Sequence, residues 1–196
     1  MSEPKIAQLE SDDKTTFGFW VYLMTDCVLF ASLFATFAVL RHNTFGGPDG
    51  SQLFNMPFVL AETLILLTSS FLAGLAVVSA RRQRKNLSVA LLVTTLLLGV
   101  AFLTLELTEF THLVADGNSW QRSGFLSAFF TLVGTHGLHI ASGLLWLLVL
   151  LWQIMQKGYN RHVLRRLTLF SYFWHFLDVV WIFIFTVVYL MGALQV

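Results

Sequence analysis

Long apolar runs separated by short polar stretches recur five times along the chain. They lie at roughly 17–40, 57–80, 87–113, 124–155 and 167–192. Each reaches the length that a helix needs to cross a hydrocarbon core, about 17–25 residues. Two of the dividing stretches, "RHNTFGGPDGSQLFNM" and "ADGNSWQRS", are rich in turn formers, and no soluble domain fits between any pair of runs. The pattern predicts an all-α fold: a polytopic membrane protein with five transmembrane helices in one domain, 17–196. The first sixteen residues, "MSEPKIAQLESDDKTT", read as a short mobile polar tail. They lack the basic start, short apolar core and small-residue cleavage site of a signal peptide.

Composition agrees with that pattern. Of 196 residues, 56% are hydrophobic and 12% charged, where soluble domains carry about 25% charged residues; mean hydropathy is +0.71. A single cysteine, Cys27, excludes an internal disulfide framework and reads as a small buried side chain. The basic residues set an orientation. Lys5 and Lys14 of the tail, Arg81, Arg82, Arg84 and Lys85 of the second connection, and Lys157, Arg161, Arg165 and Arg166 of the fourth fall on one side, leaving Arg41 and Arg122 on the other. By the positive-inside rule the N-terminus is cytoplasmic and the C-terminus periplasmic.

The candidate chemistry lies inside the apolar runs. Asp26, Glu62, Glu106, Glu109 and Asp178 fall within them, as do His136, His139 and His175, with His112 near a helix end. A central acidic charge costs about 2.5–3.5 kcal/mol on insertion scales, so these groups must be protonated, paired with histidine, or turned toward another protein surface. Steps of three link Glu106, Glu109 and His112, then His136 and His139, then His175 and Asp178, with Trp174 and Trp181 beside the last pair. Residues so spaced share a helix face, and interhelical hydrogen bonds of this kind contribute about 0.6–2 kcal/mol each. The expected role is architectural, His175 and Asp178 satisfying each other or a neighbouring helix.

Two sharper readings are weighed against it. Glu109-x-x-His112 has the spacing used in di-iron helical bundles, but such bundles need it twice. At the α-helical rise, Glu109 lies about 36 Å from Lys85 and His175 about 14 Å from Arg166, so the first sits near the outer interface and the second in the inner half. That leaves His136 with His175 as the one metal-ligating pair available by depth. Chains of acids and histidines also relay protons, yet the sequence has neither the broken helices nor the internal repeat of a transporter.

Several segments carry a resemblance. "YFWHFLDVVWIFIFTVVYLMG" resembles the last helix of subunit III of the haem–copper respiratory oxidases; "FFTLVGTHGLHIASG" is similar to that family's histidine-glycine-x-histidine helix, and "LGVAFLTLELTEFTHL" to a glutamate-bearing span. Members of the cytochrome c oxidase type usually have seven helices. The five here, with "FGFWVYLMTDCVLFASLFATFAVLR" and "RSGFLSAFF", look most like the branch found in bacterial bo-type ubiquinol oxidases. One departure is Asp26, where many members carry glutamate.

The resemblance implies a non-catalytic accessory subunit of a proton-pumping ubiquinol oxidase in the bacterial inner membrane. It implies no cofactor in this chain, with haem and copper in the catalytic subunit I on which it packs. Subunits II and IV of the same complex and membrane phospholipid, bound in a cleft between helix groups, are the other expected partners; nucleic acid is not one. By the same resemblance Glu109 matches the family's buried glutamate, and His136, His139, His175 and Asp178 match its histidine and aspartate positions. Subunit III of a cytochrome c oxidase, a proton-conducting membrane element and a metal-dependent membrane enzyme are the alternatives.

Overall fold

The computed structural model describes residues 3–47, 50–53 and 55–194. Helix α1 runs Glu3–Leu40, α2 is the short turn Gly50–Leu53, and α3 (Met56–Arg81), α4 (Lys85–Ala115), α5 (Gly124–Lys157) and α6 (Arg161–Ile184) follow. A π-helical stretch, Phe185–Leu190, continues α6 and returns to α-helix as α7, Met191–Leu194. Five of these units are long and apolar enough to cross a membrane: Lys14–Leu40, Met56–Arg81, Lys85–Ala115, Gly124–Lys157 and Arg161–Ala193.

Local chemistry sets the ends. Ser123 caps α5 by accepting a hydrogen bond from the Leu126 amide at 3.2 Å, and Asn160 caps α6 by accepting from the Val163 amide at 2.9 Å. Pro57 occupies the first turn of α3, where its missing N–H costs nothing. Between α3 and α4 only Arg82, Gln83 and Arg84 turn the chain, and Gln83 does so with φ at +57°. Gly158, at φ +63°, ends α5.

Two expectations need correction. The polar tail, read as a segment apart from the first span, is helical from Glu3 onward and continuous with that span. No Gly or Pro interrupts Lys5–Phe17, and a helix already nucleated in the membrane can propagate outward one residue at a time where no such breaker stands. The last span, expected as unbroken α-helix, contains the π turn, in which the Met191 amide bonds to the Thr186 carbonyl.

Helices α3, α4, α5 and α6 close a ring in which each packs on the next, α3 and α4 most extensively and α6 returning to α3. Helix α1 lies outside that ring against α5 and α6, and α2 packs on α7. The ring interior holds the largest fully buried side chains, among them Trp174, Trp181, Tyr189, Phe102, Phe129 and Phe170. Val28, Val39, Phe71, Leu97, Leu145 and Trp152 face outward, as lipid-facing positions do; in a soluble protein so much exposed apolar surface would drive association.

Candidate functional site

The ring is tied together in layers, each begun by an aromatic side chain of the last helix. Trp174 donates its indole N–H to Ser69 Oγ of α3 at 3.1 Å, and Ser69 donates onward to the Thr95 carbonyl of α4 at 3.2 Å. The indole fits only because α4 and α5 present glycines to it. A Cβ at Gly143 would stand 2.8 Å from Trp174 Cζ3, and one at Gly99 would stand 3.1 Å from the ring and 2.7 Å from Leu144 Cδ2. One side chain therefore contacts all four helices of the ring.

Seven residues, or two turns, further on, Trp181 repeats the device. Its N–H goes to Thr63 Oγ1 of α3 at 3.0 Å. Phe102 of α4 meets the ring edge-on at 4.7 Å between centroids, and His136 of α5 lies tilted by 30° to it at 5.2 Å. His136 is fully buried, and neither ring nitrogen has a hydrogen-bond partner.

The third layer is acidic. Tyr189 donates its hydroxyl to Glu109 Oε2 at 2.8 Å, and stands within electrostatic range of Glu62 and Glu106 as well. The π turn makes this possible: i→i+5 bonding widens the turn, so Tyr189, eight residues beyond Trp181, still lies on the face of the two tryptophans, 6.1 Å from Trp181. Glu62 is 0% exposed with neither oxygen paired, and Glu106 is 2% exposed with Oε2 unpaired. Glu106 Oε1 presses on α5, where a Cβ at Gly137 would come within 2.5 Å of it.

Three of the remaining residues lie outside these layers. His139 anchors its Nδ1–H to the Thr135 carbonyl at 2.8 Å and turns Nε2 toward Asp26 of α1 at 3.7 Å. Asp178 is buried and faces Ser70 of α3, with Oδ1 unpaired. His175 does not join it as a buried pair. Its Nδ1–H donates to the Ser171 carbonyl at 2.7 Å, its Nε2 edge rests near Gly74, and the side chain is exposed.

The stripes read from the sequence therefore split. Residues three apart differ by about 60° around the axis, enough for one to enter the core while the other reaches a neighbouring interface. His136 points inward while His139 meets α1; Glu109 meets Tyr189 while His112 is exposed. His136 and His175, matched by depth in the sequence reading, have different surroundings, one buried against Trp181 in the core and the other exposed beside Gly74 of α3. Cys27, expected to be buried, is exposed. Among the described residues no group of three or more His, Cys, Asp or Glu is placed to hold a metal ion. Ser69, Thr63 and Tyr189 were not singled out from the sequence, although the seven-residue spacing of Trp174 and Trp181 was there to be read.

A multi-pass membrane protein that buries several ionisable groups among its packed helices is the class this geometry defines. The chain belongs to the cytochrome c oxidase subunit III family, whose profile matches residues 10–193. It is 58% identical over 185 residues to the cytochrome bo(3) ubiquinol oxidase subunit 3 of Pseudomonas aeruginosa, covering 94% of this chain and 88% of that one. To the cytochrome c oxidase subunit 3 of Bacillus sp. strain PS3 it is 46% identical, covering 95% and 89%, and to the quinol oxidase subunit 3 of Bacillus subtilis 43%, covering 96% and 93%.

Proposed function

We propose that the chain is the third, non-catalytic subunit of a quinol-oxidising, oxygen-reducing proton pump of the bacterial inner membrane. The observation that carries this reading is the 58% identity, over nearly its whole length, to a relative named for ubiquinol oxidation. The layered interior supports the non-catalytic part: its tryptophans, hydroxyls and glycines are committed to joining helices. Haem and copper belong in this reading to subunit I, on which the chain packs, with subunits II and IV in the same assembly.

The ten Lys and Arg that flank the short α3–α4 and α5–α6 connections and the N-terminus support a cytoplasmic placement of that end. A groove of about 440 Å³ between α1 and α6 supports phospholipid binding: its walls include Trp20, Leu23, Met24, Tyr172 and Phe176, with His175 as a polar point.

Purifying the tagged chain from its native membrane tests the reading. It should bring down a haem-bearing large subunit in a preparation that consumes oxygen with a quinol as donor. Recovery of the chain without haem proteins would overturn the assignment. Turnover with reduced cytochrome c but not quinol would move it to the reading favoured by the Bacillus sp. strain PS3 relative.

A further inference from the structure

Helix packing accounts for the tryptophan layers but not for the acids beyond them. We propose that Glu62, Glu106 and Glu109, with Tyr189, form an internal proton-exchange site that holds shared protons and water and opens at the end of the bundle where α2 lies.

The buried oxygens argue first. Glu62, on α3, has two unpaired oxygens and Glu106, on α4, has one, all without solvent contact. The groups facing them are few. Helix α4 adds Glu109, and the π turn adds Tyr189, which donates to Glu109. Helix α5 adds glycine backbone at Gly137 and the ring of His136, the latter held against Trp181 and Phe102. Thr63 of α3 is occupied by Trp181. No Lys or Arg stands within the apolar length of any helix.

Two ionised carboxylates here would lack any compensating cation, at several kcal/mol per buried ion, and each would oppose ionisation of the other. A directly bound metal needs three or more ligands in place, and the carboxyls are not so arranged. Protons and water meet the need. A buried water makes two to four hydrogen bonds, and several oxygens of this cluster are free to accept them.

Access argues second. A groove of about 330 Å³ is lined by Asn55, Phe58, Thr108, Glu109, His112 and Asp116, so Glu109 is shared between the groove and the interior. On its inner side the next layer is Trp181, Phe102 and His136, whose rings pack against one another. The site can take up protons and return them at one end, but it does not conduct them across the membrane.

Infrared difference spectroscopy of the purified complex tests this without recourse to oxidase turnover, so it stands or falls separately from the assignment above. Wild type minus E62Q and wild type minus E106Q should each show the carbonyl stretch of a protonated carboxyl, shifting when the buffer is changed to D2O. H112W alters an exposed residue and fills the groove; exchange through local opening alone should then be at least about tenfold slower. Loss of ionised-carboxylate bands in both difference spectra would overturn the proposal. So would a carboxylate shift on adding sodium or calcium to wild type, or exchange in H112W as fast as in wild type.

Discussion

Trp174 is the side chain whose removal should be felt by every helix of the ring. In W174A the bundle loses an indole that is 1% exposed, its hydrogen bond to Ser69, and the surfaces of Gly99 and Gly143 that close on it. Deleting a buried aromatic of this size costs about 3–5 kcal/mol. W174F should cost less, about 1–2 kcal/mol, because part of the ring remains and Ser69 keeps its own bond to the Thr95 carbonyl; what disappears is one buried hydrogen bond and some packing. G143A is destabilising for the opposite reason. Its methyl group would sit 2.8 Å from Trp174 Cζ3, and overpacking costs about 1–3 kcal/mol. Combining W174A with G143A gives the sharper measurement, since the methyl group then enters vacated space. The double variant should be more stable than the sum of the two changes requires, with a coupling of about 0.5–3 kcal/mol. Unfolding in mixed micelles of rising SDS fraction, followed by far-ultraviolet circular dichroism, gives all four corners of the cycle. A W174A variant within about 1 kcal/mol of wild type, against the loss expected for a buried aromatic, would refute the reasoning, and so would strict additivity.

Three further outcomes are expected. Gly137→Ala should displace the Glu106 carboxyl, because its Cβ falls 2.5 Å from Oε1; destabilisation of about 1–3 kcal/mol in the same micelle titration checks it, and Glu106→Ala should relieve part of that loss. Asp26→Ala removes the partner of His139 across α1 and α5 and should weaken that contact by about 0.6–2 kcal/mol, read as a lower yield of cross-links between cysteines placed on the two helices. Gln83→Gly relieves the left-handed φ of +57° in the α3–α4 turn and should raise stability by about 0.5–1 kcal/mol; a lower midpoint would contradict it.

The five spans could be read from the sequence to within a few residues, apart from the start of the last, because the length of an apolar run is itself the physical requirement for crossing a bilayer. The second span, expected at 57–80, is Met56–Arg81, and the third, expected at 87–113, is Lys85–Ala115. The last begins at Arg161 rather than near 167, since Asn160 caps it and basic residues extend it past the apolar run. Which residues are ionisable was equally visible. Which way each one points was not: a step of three leaves an ambiguity of about 60°, and only the ring of neighbours decides that His136 turns to Trp181 while His139 turns to Asp26 of α1. The π turn left no periodic trace in "FTVVYL", so the arrival of Tyr189 beside Glu109 could not be anticipated.

The attachment of α1 chiefly to the sides of α5 and α6 has a consequence for biogenesis. A ribosome delivers the first helix to the bilayer long before its docking surface has been synthesised. The α3–α4 hairpin, joined by a three-residue turn, can pair as soon as it emerges, whereas α1 must wait alone in lipid until the end of translation. Premature termination after α4 should therefore leave a paired hairpin and an orphan helix, and the orphan is the natural mark by which membrane quality control could recognise an unfinished subunit.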